Sequence, residues 1–430
     1  MGTGTIAFIA VIVLFVLMFL KMPISFALFL VGFVGLYCVM PGEAAIYILA
    51  TTIWTEFSSY SLSVIPFYVL MGEIVFRTGI SKRIFDAAYS WIGHLRGGMA
   101  VTTIIASAGF ASICGSNSAT AATMGTIALP ELKKYKYDES LSTGTVATGG
   151  TLGIIIPPST VLILLAILTQ QSIGDLFIAS FIPGILLVTL MVATILLICW
   201  KNPTLGPAGE KTSFEQRLKL TATVLPIFIL FAFVIGGLYL GLFTPTESGA
   251  FGAFGAIMLT LCMRQLTWAA FKDAIFSTLK TSSMIMMLVV SALVFGRFLT
   301  ITRVSFYISE FIHSLAAPAM IILLLILVIY VIGGALMDSL GFLMISVPVF
   351  FPIILELGYN PIWFCVLICI ITSMGAITPP IGINVFVVQG LNPDYNILKI
   401  FKGSAYYLVA YAVLILIFIF VPSVATFLIT

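Results

Sequence analysis

The chain has 430 residues, 61% hydrophobic and 8% charged, with a mean hydropathy of +1.22 and a formal net charge of +3. Composition of this kind excludes a large soluble core and predicts an integral membrane protein set in the lipid bilayer, and no basic-aromatic patch suggests nucleic acid. The six cysteines, Cys38, Cys114, Cys199, Cys262, Cys365 and Cys369, lie in apolar stretches, which predicts buried thiols rather than a disulfide framework or a zinc site.

The first apolar run, 4–20, has no basic residue before it and no small-residue cleavage site after it, so it reads as a first span rather than a removed signal peptide. Further runs long enough to cross about 30 Å of hydrocarbon fall near 24–40, 60–77, 141–169 and 174–200, with 41–59 read as an outer loop. Residues 81–96 set Ile84, Phe85, Ala88, Trp91, Ile92 and Leu95 on one stripe opposite charges, as in a helix lying in the membrane interface or, equally, a packed connector. The middle of 100–132 is small and polar, Ser112-Ile-Cys-Gly-Ser-Asn-Ser-Ala-Thr120, and predicts a helical hairpin that enters the bilayer and turns back. The following span is interrupted at Gly149-Gly-Thr-Leu-Gly-Ile-Ile-Ile-Pro-Pro-Ser-Thr160, where Pro157 and Pro158 remove backbone donors and Gly153 admits a close backbone approach. After Trp200 the segment KNPTLGPAGEKTSFEQRLK has the proline, glycine and charge content of a connector.

The second half repeats the first. Pro23, Pro130, Pro157 and Pro158 recur as Pro245, Pro352, Pro379 and Pro380, and Gly153 as Gly375, each 222 positions on. Apolar runs recur near 218–242, 246–263, 276–298, 361–391 and 404–428, with a second hairpin at 320–354. A second amphipathic stripe holds Val304, Tyr307, Ile308, Phe311, Ile312 and Leu315 between Arg303, Glu310 and His313. The expected organisation is a first-repeat scaffold and arm (1–99), a first-repeat transport unit (100–200), a linker (201–217), a second scaffold and arm (218–319) and a second transport unit (320–430). Five crossings per half is an odd number, so the second copy runs opposite to the first. Lys21, Arg77, Lys82, Arg83, Arg96, Lys133, Lys134 and Lys136 then gather on the cytoplasmic side, as do Arg264, Lys272, Lys399 and Lys402, with Arg297 and Arg303 as exceptions. The expected fold is an all-α integral membrane protein, an inverted-topology repeat with two re-entrant hairpins and two broken helices.

Matching broken segments in two halves point to the binding site of a transporter. Polar groups in lipid need partners, and the first hairpin tip offers hydroxyl, amide and carbonyl oxygens suited to a hard monovalent cation. The first candidate cation site is Ser112, Ser116, Asn117, Gly150, Gly153 and Pro157. Its repeat counterpart is Gly334, Asp338, Ser339, Gly375, Thr378 and Pro379. Asp338 is the one ionisable residue at either tip and is functional by default, with helix capping as its other reading. Glu73 and Glu247, nearer span ends, read as interfacial or scaffold pairs. An anionic substrate would sit between the tips, facing half-helix amino termini, with Ser118, Thr120, Ser159, Thr160, Ser339, Gly341 and Asn384 as candidate contacts. No phosphate-binding loop of the GxxxxGK[ST] type is present, and the two histidines, His94 and His313, offer no transition-metal cluster.

The stretches GSNSATAATMGTIALPEL, GGTLGIIIPPS, GGALMDSLGFLMISVPVFFP and MGAITPPIGINVF resemble the large membrane subunit of tripartite ATP-independent periplasmic (TRAP) transporters, and the resemblance covers essentially the whole chain. It implies an elevator-type fold in the bacterial inner membrane, driven by Na+ as coupling ion, with no other cofactor and no enzymatic activity. It also implies a small four-helix membrane subunit and a periplasmic substrate-binding protein as partners, and an organic acid of the sialic-acid or C4-dicarboxylate class as substrate. A stand-alone sodium-coupled anion carrier of a related inverted-repeat fold is the alternative within transport. A membrane enzyme acting on lipids would need a second catalytic group beside Asp338.

Overall fold

The computed structural model describes residues 2–304, 306–308, 310 and 317–429, and every regular element among them is a helix. Eight of the described helices are long and apolar enough to cross a membrane, accompanied by the shorter apolar helices Thr3–Phe19, Ile24–Val39, Gly98–Cys114 and Pro361–Gly375. The repeat holds at residue level. The outgoing hairpin arms Asn117–Lys134 and Ser339–Glu356 coincide under the shift of 222, and the following helices, Glu139–Ile155 and Pro361–Gly375, both end at a Pro-Pro break with a cis peptide, Pro157-Pro158 and Pro379-Pro380. Beyond each break a short helix resumes, Thr160–Thr169 and Ile383–Leu391. The turn after each hairpin is made by a left-handed residue at the same place, Lys136 (φ 57°) and Gly358 (φ 78°).

The two copies exchange partners between helices. Ile24–Val39 packs along Trp268–Ile301, and its counterpart Pro245–Cys262 packs along Val64–Arg77. Such reciprocal packing is what a two-fold relation between the halves requires. Close approach depends on glycine: a Cβ on Gly32 would lie 2.8 Å from the Phe295 nitrogen, and one on Gly249 would lie 3.3 Å from the Tyr68 ring. The Tyr68 hydroxyl donates to Ser248 Oγ (3.2 Å), whose own hydroxyl donates to the Val234 carbonyl (2.8 Å).

Residues 41–59 are not a loop. They hold the helix Gly42–Phe57, which residues 58–59 and the short 3-10 helix Tyr60–Ser63 separate from Val64–Arg77. In the second copy the corresponding stretch is continuous, Trp268–Ile301, 34 residues long. Glu43, Thr51, Thr52 and Glu56 interrupt the apolar pattern of Gly42–Phe57, so hydropathy hides a helix that Glu43 favours from its first turn. The first amphipathic stretch forms Ile80–Ile92, packed between Gly98–Cys114 and the scaffold helix Phe214–Tyr239. Ile84 and Phe85 are buried there, and Trp91 Nε1 donates to Thr221 Oγ1 at 2.9 Å. In the second stretch, Phe311, Ile312, His313 and Leu315 lie outside the described residues. The cysteines are all free, and Cys38 and Cys262 are exposed rather than buried.

Both arms of the first hairpin pack on Glu139–Ile155, which is almost wholly buried, whereas few residues of Phe214–Tyr239 are. Glu139–Ile155 meets the last long helix, Ile397–Phe420, through bare backbone: a Cβ on Gly144 would collide with Gly403, and one on Gly403 with the Ser140 carbonyl. Buried hydroxyls fasten the same seam, Thr145 Oγ1 to the Tyr407 hydroxyl at 2.5 Å and the Tyr411 hydroxyl to Thr151 Oγ1 at 2.6 Å. At the hairpin base the Met99 amide donates to the Tyr137 hydroxyl (3.1 Å), and burial pushes that phenol above its ordinary range, so it stays neutral.

Candidate functional site

A cavity of about 440 Å³ opens between the two hairpin tips and is bordered on its other side by Val64–Arg77 and Trp268–Ile301. Ser116, Asn117, Ser118, Ala119 and Thr123 line it from the first hairpin, Asp338 and Leu340 from the second, and Thr160 from beyond the first break. Val69, Gly72, Glu73 and Phe76 of one scaffold helix and Thr281, Met284 and Ile285 of the other complete the wall. Three helices, Asn117–Lys134, Thr160–Thr169 and Ser339–Glu356, begin at this cavity. Their amino-terminal ends carry positive dipole and favour negative charge. No lysine, arginine or histidine lines the cavity among the described residues. An anion there is held by helix ends and hydroxyls, and a cation by Asp338 and main-chain oxygens.

Each tip packs into the break of its own repeat. Gly115, left-handed at φ 61°, sits so close to the first break that a Cβ would lie 2.5 Å from the Pro158 carbonyl oxygen. Thr160 answers by donating its amide (3.3 Å) and its hydroxyl (3.0 Å) to the Gly115 carbonyl. A Cβ on Gly153 would lie 2.5 Å from the Ser116 carbonyl oxygen, so the first broken helix reaches the hairpin turn only because position 153 is glycine. In the second copy the Gly375 and Gly334 backbones touch, Ser339 Oγ donates to the Thr372 carbonyl (3.2 Å), and the Ile381 amide donates to the Ala335 carbonyl (3.2 Å). Thr378 turns its hydroxyl back to the Met374 carbonyl (2.8 Å).

The caps differ. Ser116 Oγ accepts from the Ala119 amide at 3.5 Å and Asn117 Oδ1 from the Ser118 amide at 2.8 Å, whereas Asp338 stands at the N-cap of its arm with its carboxylate beside the Ser339, Leu340 and Gly341 amides and lines the cavity.

Of the candidate substrate contacts, Ser118 and Thr160 line the cavity. Thr120 turns inward to the Ser116 carbonyl (2.7 Å), Ser159 is buried with Oγ unpartnered, and Gly341 packs against the Ile24 side chain. Asn384 is fully buried between the broken helices. Ser339 is likewise buried, and Ser112 donates to the Gly109 carbonyl (2.9 Å) and borders a separate crevice with Ile156 and Phe181. Gly150 is covered by Ala121 and Asn384.

Composition alone missed the scaffold wall. Glu73 pairs with Arg77 at 3.2 Å and Arg77 Nη2 donates to Ser277 Oγ at 2.6 Å, so Glu73 is at once a scaffold pair and a cavity residue. Thr281 could have been found from the hydroxyl triplet Thr281-Ser282-Ser283 inside an apolar run.

The sequence profile described as "Tripartite ATP-independent periplasmic transporter, DctM component" matches residues 11–424. The C4-dicarboxylate TRAP transporter large permease protein DctM of Pseudomonas aeruginosa is 30% identical over 378 residues, 88% of each chain. The 2,3-diketo-L-gulonate TRAP transporter large permease protein YiaN of Escherichia coli is 33% identical over 408 residues, 94% of each chain. The isethionate TRAP transporter permease protein DctMQ of Oleidesulfovibrio alaskensis is 32% identical over 361 residues, 82% of this chain and 56% of that one. Among solved structures, the YdaH transporter of Alcanivorax borkumensis, described as having an unusual topology, superposes with a TM-score of 0.57 at 14% identity, covering 88% of this chain and 89% of that one, a likeness of fold.

Proposed function

The chain belongs to the DctM component family of tripartite ATP-independent periplasmic transporters, multi-pass membrane permeases rather than enzymes, and from that premise we propose that it carries an organic acid inward with sodium ions, by moving its hairpin unit against the scaffold. The observation that carries this reading is the cavity between the two tips, with three helix amino termini for a carboxylate and, at the second tip, the Asp338 carboxylate for a cation, while Glu73 in the wall is paired with Arg77. Sodium ions at the two tips, each braced by its own Pro-Pro break, order the hairpins and complete the anion site. Their charge offsets Asp338 and the substrate, which lowers the penalty for carrying charge past hydrocarbon. The cavity lies on the boundary between hairpins and scaffold, where sliding of one unit past the other would carry a bound substrate. Ile80–Ile92, packed on both a hairpin arm and a scaffold helix, is placed to act as the linking arm.

The substrate belongs to the organic acids. The relatives named for C4-dicarboxylate, 2,3-diketo-L-gulonate and isethionate all take organic anions, and sialic acid remains a member of the same chemical class. In the cell the chain works with a small four-helix membrane subunit and a periplasmic substrate-binding protein. The test is uptake into liposomes holding the reconstituted complex. Transport is expected to need an inward sodium gradient and the binding protein. Undiminished uptake in potassium or choline salts would refute sodium coupling, and uptake by this chain alone would favour the stand-alone carrier.

A further inference from the structure

Asn384 is the second residue of the helix that resumes after the second break, and it is fully buried. Its side chain crosses into the other repeat: Nδ2 donates to the Ala147 carbonyl of the first broken helix at 3.0 Å. Its own amide donates to the Ala376 carbonyl at 3.0 Å, which closes the loop that holds Pro379 and Pro380. One residue therefore ties the second break to the first broken helix, about two turns ahead of that helix's own break. The neighbouring surface is cut to admit it, because a Cβ on Gly150 would lie 2.8 Å from Asn384 Nδ2 and 2.5 Å from Ala121 Cβ of the first hairpin. The remaining acceptor, Asn384 Oδ1, is buried without a partner. An unpaired polar atom in such a place is destabilising by itself, so packing alone is a poor reason for asparagine here. The repeat offers no return contact: the equivalent position is Leu162, also buried and apolar.

We infer that Asn384 is a positioning residue that couples the second break to the first broken helix at Ala147 and Gly150, so that ordering one cation site favours ordering the other. The inference rests on the sodium-coupled reading above. When the second break closes around its ion, the loop 376–382 fixes Asn384, and Asn384 holds the Ala147 to Gly150 turn of the first broken helix against the first hairpin. Without the side-chain bond each site would still form, but independently. Coupling between sites is an energy shared by both and must appear in the steepness of the ion response.

The test is sodium titration of the reconstituted complex at constant ionic strength, read as thermal stabilisation and as uptake, for the wild type, Asn384→Ser and Asn384→Leu. The wild type is expected to respond with a Hill coefficient above one. Both variants are expected to need at least about fivefold more sodium and to lose the steepness. Leu fills the volume that Ser leaves, so a shared loss of steepness tracks the hydrogen bond rather than a void. Variants that melt earlier but titrate like the wild type would reduce Asn384 to a packing residue and overturn the inference. A wild-type complex with no sodium response would overturn the sodium reading itself, and the inference with it.

Discussion

At the first hairpin tip Ser116 caps the outgoing arm with its hydroxyl and the tip itself carries no charge; at the second, Asp338 occupies the same position of the repeat and brings a carboxylate to the cavity. The breaks they face differ in the same sense. Gly153 meets the main chain of the turn residue Ser116, whereas Gly375 meets Gly334, one helical turn earlier in its hairpin. A duplicated backbone has thus been kept while the chemistry at its two ends has diverged. The pair of sites is a common mould with unequal charge, and each variant below tests whether shape or charge governs the difference.

The largest effect is expected where backbone meets backbone. Gly375→Ala forces the main chain of Gly334 to move, and Gly153→Ala that of Ser116; overpacking of this kind lowers stability by about 1–3 kcal/mol. Thermal melts of the purified complex should place Gly375→Ala at or beyond Gly153→Ala, with Gly236→Ala, which meets nothing within 4 Å, as an unaffected control. A tolerated alanine at both sites would mean the tips are looser than their contacts. Next in size, Asp338→Ala should raise the half-saturating sodium concentration by about tenfold, roughly 1.4 kcal/mol. Asn117→Ala should shift it less, because its side chain is already spent on the Ser118 amide. Equal shifts would erase the charge asymmetry. The smallest effect separates two tyrosines on the last long helix. Tyr411 bonds Thr151 of the first broken helix and Ser373 of the second, whereas Tyr407 bonds Thr145 alone. Tyr411→Phe should therefore destabilise by about 1–2 kcal/mol and Tyr407→Phe by about 1 kcal/mol, read by the same melts.

The prolines made the duplication legible, and with it the hairpins, the breaks and their facing arrangement. Composition could not show side-chain direction at the tips. Thr120 and Ser118 look alike in sequence, yet the helical turn sends one inward to the Ser116 carbonyl and leaves the other on the cavity. Glu73 was hidden by its own pairing with Arg77, and the scaffold wall by the distance in sequence between Glu73 and Thr281. The helix Gly42–Phe57 fell below the hydropathy of a span, although its counterpart opens Trp268–Ile301, so the repeat itself held the missing signal.

The turn that follows each hairpin keeps one backbone shape with two different residues. Gly358 takes the left-handed shape without strain, whereas a residue with a Cβ at the same place is disfavoured by about 1–2 kcal/mol. Lys136 nonetheless stands there, next to Lys133 and Lys134. Clustered lysines are the marks by which the insertion machinery orients a membrane chain. One copy keeps the residue that suits the bend, and the other keeps a residue that adds its charge to Lys133 and Lys134; identical geometry thereby carries unequal charge in the two copies.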